Sequence, residues 1–140
     1  NVETYAMDAR TLPMEWQGEF DRVLVDAPCS GLGVLRRKAD ARWNKTETDI
    51  AQLPALQLAI LTQAAAMVVP GGKLIYSTCT TEPHENQDVV LAFLRTHSEF
   101  SLDVIAHPRG SVKEHAWLQL WPHLDGTDGF FIARLIKKAT

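Results

Sequence analysis

The sequence predicts an α/β domain with parallel central strands and an antiparallel strand pair near its C-terminus, and three observations carry the prediction. First, the apolar run Phe20-Asp21-Arg22-Val23-Leu24-Val25 passes directly into the polar turn Asp26-Ala27-Pro28-Cys29-Ser30-Gly31. Second, Lys73-Leu74-Ile75-Tyr76 repeats that design and ends in Ser77-Thr78-Cys79-Thr80, while the stretch between the two runs has the apolar period of a helix, as a βαβ crossover requires. Third, the last part of the chain changes to short β-rich runs around the turn-rich segment Pro122–Asp128, the pattern of antiparallel neighbours. In an open parallel sheet, ligands bind outside the carboxyl ends of the strands. Both cysteine turns fall there, so neighbouring strands would bring both thiols to one crevice.

From the N-terminus, Val2–Met7 alternates weakly and favours β structure, which predicts a strand ending at Asp8-Ala9-Arg10. Pro13 and Gly18 punctuate the connection to the strand at Phe20–Val25, with Trp16 between them as a core or edge-covering residue. After the first cysteine turn, Arg36-Arg37-Lys38 and Arg42-Trp43-Asn44-Lys45 form one basic cluster. Thr46-Glu47-Thr48-Asp49 has the form of a capping box and Pro54 suits a first helical turn, so the spacing predicts a short helix or turn and then a longer helix over Ala55–Val68. Leu56, Ile60, Gln63 and Met67 share one stripe of that helix and Leu58, Leu61, Ala65 and Val68 another, a wide apolar face suited to a sheet. Pro70-Gly71-Gly72 is expected to end it. Pro83 opens a second helix, Glu85–His97, whose Val89, Val90, Phe93 and Leu94 mark a buried side. Phe100–Ile105, Trp117–Trp121 and Gly129–Ile136 read as strands, and His107-Pro108-Arg109-Gly110-Ser111 as an exposed loop.

Composition bounds the function. A chain of 140 residues has room for one domain, and 46% hydrophobic with 22% charged residues excludes disorder. The net charge of −3 argues against bulk coating of nucleic acid and leaves room for a local basic patch. The apolar runs read as shorter than a membrane span and the N-terminus lacks a secretory pattern, so the expectation is a cytoplasmic protein with no membrane contact and free thiols.

Two thiols and a carboxylate in one crevice allow several chemistries. A cysteine hydrolase would need a histidine base, and of the five histidines only His84 lies near a predicted strand end. A redox pair lacks Cys-x-x-Cys, and a zinc site lacks a second close ligand pair, so no metal is expected. Methylation at a pyrimidine ring carbon fits better. A thiolate added at carbon 6, with ring nitrogen 3 protonated, makes carbon 5 an enamine that attacks an electrophilic methyl group. A second thiol or base must then help remove the carbon 5 hydrogen. Either cysteine could supply the adduct, and Cys29, Cys79 and Asp26 together meet those needs.

Asp26-Ala27-Pro28-Cys29-Ser30-Gly31-Leu32-Gly33-Val34, Arg36-Arg37 with Asp40, Arg42-Trp43, Asp49-Ile50, Gln57, Pro70-Gly71-Gly72, Tyr76-Ser77-Thr78-Cys79-Thr80, Pro83 with Glu85-Asn86, and Asp128-Gly129-Phe130-Phe131-Ile132-Ala133-Arg134-Leu135 follow one another along the chain. In that order they resemble the RNA cytosine-5 methyltransferases of the Sun type, over nearly the whole chain. The resemblance implies a Rossmann-like methyltransferase fold, S-adenosylmethionine as cofactor, and structured RNA as substrate, with ribosomal RNA expected. It also implies that Cys79 attacks the ring, that Cys29 helps release the product, that Asp26 lies between cofactor and base, and that Asp8 contacts the adenosine. Arg36, Arg37 and Arg42, beside the base-binding crevice, are the expected phosphate contacts.

The family places a glycine-rich turn after its first strand and an acidic residue after the next. Here Gly31-Leu32-Gly33 follows the cysteine turn and Gly71-Gly72 precedes a strand, so neither has that context. Residues 1–140 are therefore expected to form the C-terminal part of a class I methyltransferase catalytic domain that lacks the glycine-rich cofactor motif, with an exposed sheet face or edge inviting self-association. The rival reading is a non-catalytic module that contacts RNA or associates with itself. Plainer roles stand beside the chemical ones: Asp8 and Asp26 as strand-end caps, the cysteines as core fillers, Trp43 as a base-stacking or a sheet-covering ring, and Asp128-Gly129 as a turn.

Overall fold

Strand β1 (Phe20–Asp26), helix α1 (Glu47–Met67) and strand β2 (Val68–Thr78) make the βαβ unit on which the rest is assembled. The computed structural model describes residues 1–39, 43, 46–107 and 114–139, with only the backbone of 114 and 115. β1 and β2 pair in parallel from Arg22 opposite Lys73 to Asp26 opposite Ser77. Between the Phe20–Val68 and Arg22–Lys73 pairs the register shifts. Pro70-Gly71-Gly72 occupies that irregularity, so it bulges inside β2 instead of ending the helix, which stops at Met67.

α1 is one continuous helix rather than a turn followed by a helix. Thr46 and Asp49 form a complete capping box, Asp49 N–H donating to the Thr46 hydroxyl at 3.2 Å and Thr46 N–H to the Asp49 carboxylate at 2.9 Å. Once that box fixes the start, Pro54 falls inside the helix, where it removes one backbone donor without ending it. At 21 residues and a mean hydropathy of 1.3, α1 is long and apolar enough to cross a bilayer by length and composition, contrary to the expectation from the sequence. Its buried stripe of Leu61, Ala64, Ala65 and Met67 lies on the sheet.

Helix α2 (Gln87–Thr96) follows a single 3₁₀ turn at Pro83–Glu85 and packs beside α1, burying Val89, Val90 and Phe93. The predicted strand at Phe100–Ile105 is split into β3 (Phe100–Leu102) and β4 (Ile105–Ala106). Asp103 sits at the break, its carboxylate taken by Lys73 at 2.9 Å and Arg134 at 2.7 Å. β4 pairs with β5 (Glu114–His115), while β6 (Trp117–Leu120) and β7 (Phe130–Lys137) form the expected antiparallel pair, joined through a one-turn helix α3 (Pro122–Asp125). β7 also runs antiparallel to β2, so the sheet order is β1-β2-β7-β3 with β6 beside β7. Residues 108–111 of the predicted exposed loop lie outside the described residues.

The core lies between the two helices and one sheet face. Leu61, Val68, Leu74, Tyr76, Val90, Phe93, Phe131, Ala133 and Leu135 are all fully buried there. Successive strand residues face opposite sides, and the second face is less covered: Leu24 is 65% exposed. β1 forms the sheet edge. The predicted strand at Val2–Met7 is absent; the segment is irregular and exposed. A strand exists only through a ladder to a neighbour, and no described strand pairs with β1 on its outer side. Trp16 covers that edge, ring edge to face with Tyr5 and Phe20.

Candidate active site

Parallel pairing places the carboxyl ends of β1 and β2 side by side, and the ladder continues one step further, with Ala27 N–H donating to Ser77 O at 2.9 Å. The chain then leaves both strands in adjacent turns. Cys29 Sγ and Cys79 Sγ meet at 3.2 Å, both half-buried. Burial, reinforced by Cys79 alongside, pushes the Cys29 thiol up to about 12. Asp26 stands exposed at the end of β1, where the Ser77 hydroxyl donates to it at 3.0 Å.

Each thiol is held by its sequence neighbours. Ser30 N–H donates to Glu85 Oε2 at 2.8 Å, and the Gln57 amide donates to Pro28 O and to Glu85 Oε2, both at 2.9 Å, so the residues before and after Cys29 are fixed. The Thr78 hydroxyl donates to Asn86 Oδ1 at 2.5 Å and the Asn86 amide donates to Thr80 O at 3.0 Å, which fixes the residues on either side of Cys79. A Ser30–Thr80 hydroxyl contact of 2.8 Å joins the two turns. The Tyr76 hydroxyl donates to Glu85 O at 2.6 Å, and burial, then the Glu85 charge, raises that phenol far above its usual range, so it remains a donor.

Gly33 closes the arrangement. Its N–H donates to Cys79 O at 3.0 Å, and its carbonyl accepts from Gly129 N–H at 2.8 Å. A side chain there would run into backbone, with Cys79 O 2.8 Å from the β-carbon position and Gly129 O nearer still. The Asp128 carboxylate, next in line, binds Arg36 Nε at 2.5 Å and Arg37 Nε at 2.7 Å, and both arginines hold it below the usual carboxylate range. Asp128 is thus an anchor as well as a turn residue. The arginine side chains remain 46% and 68% exposed. Arg42, the third expected phosphate contact, lies outside the described residues, and Trp43 is 81% exposed, which removes the sheet-covering alternative.

A cavity of about 270 Å³ opens beside Asp26, lined by Ala9, Leu12, Val23, Val25, Pro28, Ile60 and Ala64. Its walls are apolar apart from the Asp26 carboxylate. Asp8, adjacent in sequence, is engaged by Arg10 through contacts of 2.6–3.1 Å that pull its carboxyl down to about 2. The structure therefore brings together Cys29 and Cys79, holds Asp26 at the end of β1 against Ser77, and leaves Asp8 in a local ion pair. A larger groove of about 510 Å³ between α1 and α2 is mostly apolar and contains neither thiol. His84 turns its exposed ring to Asp88 at 2.9 Å.

Glu85, Asn86 and Gln57 entered the sequence argument only as parts of a motif. The available signal for Gln57 was an amide beside the apolar stripe of α1; it is fully buried.

Residues 1–136 match the family model described as 16S rRNA methyltransferase RsmB/F. A probable ribosomal RNA small subunit methyltransferase B of Bacillus subtilis strain 168 is 44% identical over 143 residues, covering 98% of this chain and 32% of that protein. The crystal structure of PH0851 is similar with a TM-score of 0.85 at 37% identity, covering 94% of this chain and 30% of the other. That of NSun6 from Pyrococcus horikoshii with SFG gives a TM-score of 0.76 at 31% identity, covering 100% and 35%. The chain thus spans about a third of the length of the curated relatives it matches.

Proposed function

The chain belongs to the 16S rRNA methyltransferase RsmB/F family, and on that premise we propose that it carries the thiol pair of an enzyme that methylates carbon 5 of a cytosine in ribosomal RNA. We read its residues as one part of a class I methyltransferase catalytic domain. The observation that carries the reading is the 3.2 Å approach of two thiols at the ends of adjacent parallel strands, beside Asp26.

The two sulfurs divide the work. Cys29, pushed up by burial, keeps its proton at neutral pH and hydrogen-bonds the neighbouring sulfur. We assign the nucleophile to Cys79, the role the family resemblance implies. Its sulfur bonds to carbon 6 as the ring double bond opens toward carbon 5, and the proton Cys79 gives up ends on ring nitrogen 3, with Asp26 as the carboxyl at that edge. Bound beside Asp26, S-adenosylmethionine would supply the methyl group for carbon 5, its sulfonium becoming a neutral thioether. With Cys79 bound to carbon, the part of the raised Cys29 value that Cys79 causes is gone; Cys29 gives its own proton to water, and its thiolate then accepts the carbon 5 proton. The released electron pair restores the ring double bond, the carbon 6–sulfur bond breaks, Cys79 leaves as thiolate, and nitrogen 3 loses its proton.

The cavity beside Asp26 and Pro28, with Ala9 and Leu12 on its wall, fits the adenosine part of the cofactor, and Asp8 lies beside it in sequence. SFG, held by the NSun6 neighbour, is an S-adenosylmethionine analogue, which supports the same choice. Arg36 and Arg37 are the proposed RNA phosphate contacts, each with a side chain about half or more exposed (46% and 68%) while Asp128 holds Nε.

The test uses 16S rRNA transcribed with 5-fluorocytidine, whose carbon 5 fluorine cannot leave as a proton. With S-adenosylmethionine present, the wild-type protein should form a denaturation-resistant RNA adduct, Cys79→Ala should form none, and Cys29→Ala should retain it. An adduct that survives Cys79→Ala and disappears in Cys29→Ala would reverse the assignment. None in wild type would refute the chemistry.

A further inference from the structure

We propose that the adjacent residues Glu85 and Asn86 are positioning residues that set the two thiols against each other, Glu85 for the product-release cysteine and Asn86 for the nucleophile. The inference rests on the cysteine roles proposed above.

The geometry divides cleanly between them. Glu85 Oε2 receives Ser30 N–H at 2.8 Å and the Gln57 amide at 2.9 Å, and that same amide reaches Pro28 O, so one carboxylate oxygen and its helper grip the backbone on both sides of Cys29. Asn86 takes the Thr78 hydroxyl through Oδ1 and gives its amide to Thr80 O, gripping both neighbours of Cys79. The two grips share one backbone. Glu85 and Asn86 are consecutive, and the Tyr76 hydroxyl ties down the Glu85 carbonyl between them. Motion of either turn relative to the other must therefore strain the 85–86 peptide.

Folding alone gives little reason for this arrangement. Glu85 is 1% exposed, and no lysine or arginine pairs with it among the described residues. Its Oε1, and Oε1 of Gln57, are buried without a hydrogen-bond partner. Burying a carboxylate this way is costly, and an apolar pair of similar volume would fill the space without that cost. What the carboxylate supplies and an apolar group cannot is an acceptor for the Ser30 amide at a fixed distance from Cys29. Reaction geometry is the property that repays such a placement, because a displacement of about 1 Å at reacting groups costs on the order of a hundredfold in rate.

The experiment uses the full-length protein, 16S rRNA transcripts and S-adenosylmethionine. Four variants are compared with wild type: Glu85→Ala, Gln57→Leu, Asn86→Ala and the conservative Glu85→Gln, which keeps an acceptor oxygen. On RNA with ordinary cytosine, Glu85→Ala and Gln57→Leu should accumulate the covalent RNA complex severalfold while turnover falls about ten- to a hundredfold. Asn86→Ala should instead slow adduct formation on 5-fluorocytidine RNA by a similar factor without accumulation, and Glu85→Gln should stay close to wild type. A second readout needs no RNA: the pH profile of Cys29 alkylation, followed by peptide mass spectrometry. Its midpoint should move down in Glu85→Ala and Gln57→Leu, as the turn loosens and Cys29 leaves its buried place beside Cys79.

Loss of formation and release in equal proportion in all variants, with an unchanged Cys29 profile, would overturn the proposal and leave these residues a purely structural role. If wild type formed no adduct, the cytosine chemistry would fail; a shifted alkylation profile would still support the grip on Cys29, and an unshifted one would remove it.

Discussion

Replacing Gly33 by alanine should push apart the two cysteine turns and the 128–129 turn at once. The glycine does not adopt a left-handed conformation, since the positive-φ glycines are Gly18, Gly31, Gly71 and Gly126, so the whole effect is steric. The added methyl would meet Gly129 C at 2.7 Å and Cys79 O at 2.8 Å, and backbone cannot rotate out of the way as a side chain can. Relieving the overlap means stretching the Gly33 N–H to Cys79 O bond and the Gly129 N–H to Gly33 O bond. Each is worth about 1 kcal/mol net, and overpacking at a buried site adds about 1–3 kcal/mol. The sum, about 3–5 kcal/mol, corresponds to a fall in Tm of about 10–17 °C for a domain of this size. Chemical denaturation gives the free energy, and 5-fluorocytidine adduct formation reports whether Cys79 has moved. Gly18→Ala is the control: nothing lies within 4 Å of its β-carbon position, so it should cost only the positive-φ strain of about 1–2 kcal/mol. A Gly33→Ala protein within about 0.5 kcal/mol of wild type, the range of an ordinary surface change, would show that the three turns are not locked through this residue.

Further expectations follow from the same contacts. Arg36→Ala and Arg37→Ala should weaken RNA binding and lower the slope of log K against log salt by about one each; an unchanged slope would place RNA elsewhere. Tyr76→Phe removes the hydroxyl bonded to Glu85 O at 2.6 Å and should cost about 1–2 kcal/mol in denaturant titration, a loss that would vanish if water replaced the donor. Asp103 is held below its usual range first by the Lys73 hydrogen bond and then by Arg134. A carboxyl lowered in the folded state contributes stability above its unfolded value of about 3.9 and loses it as pH falls through the folded value. Stability should therefore decline below about pH 4, and Asp103→Asn should flatten that decline; an equally steep loss in the variant would assign it to other groups.

Local pattern sufficed wherever neighbours in sequence decide the outcome. The two apolar runs became β1 and β2, the turn-rich 122–128 segment joined an antiparallel pair, and the thiols met because parallel strands end at the same side. Pattern failed where distant groups decide. Val2–Met7 has β-favouring residues but no ladder to join, and Phe100–Ile105 breaks because Asp103 answers to Lys73 and Arg134, which lie on other strands. Pro54 misplaced the start of α1 because the Thr46–Asp49 box outweighs one lost helical donor. Within the site, Asp26 and the cysteines were legible from their places after strands. The supports of Cys29 were not, since the bonds that hold its neighbours span 29 and 55 residues. Neither a buried amide in a helix nor a carboxylate after a proline announces its partner.

The antiparallel pair has a consequence for the site that parallel strands alone would not supply. β7 runs back along β2 from Phe131, opposite Thr78, so the turn just before β7 arrives at the same sheet end as the thiols. There Gly129 donates to Gly33 O, Gly33 donates to Cys79 O, and Asp128 binds Arg36 and Arg37. The Asp128 ion pairs and then two backbone bonds thus connect the proposed phosphate contacts to the peptide of the proposed nucleophile. Backbone hydrogen bonds of this kind hold position more closely than a surface ion pair would, because they fix main chain instead of two long side chains. RNA held by the arginines would therefore meet Cys79 in a defined register, with Glu85 and Asn86 fixing the same cysteine pair from the helical side.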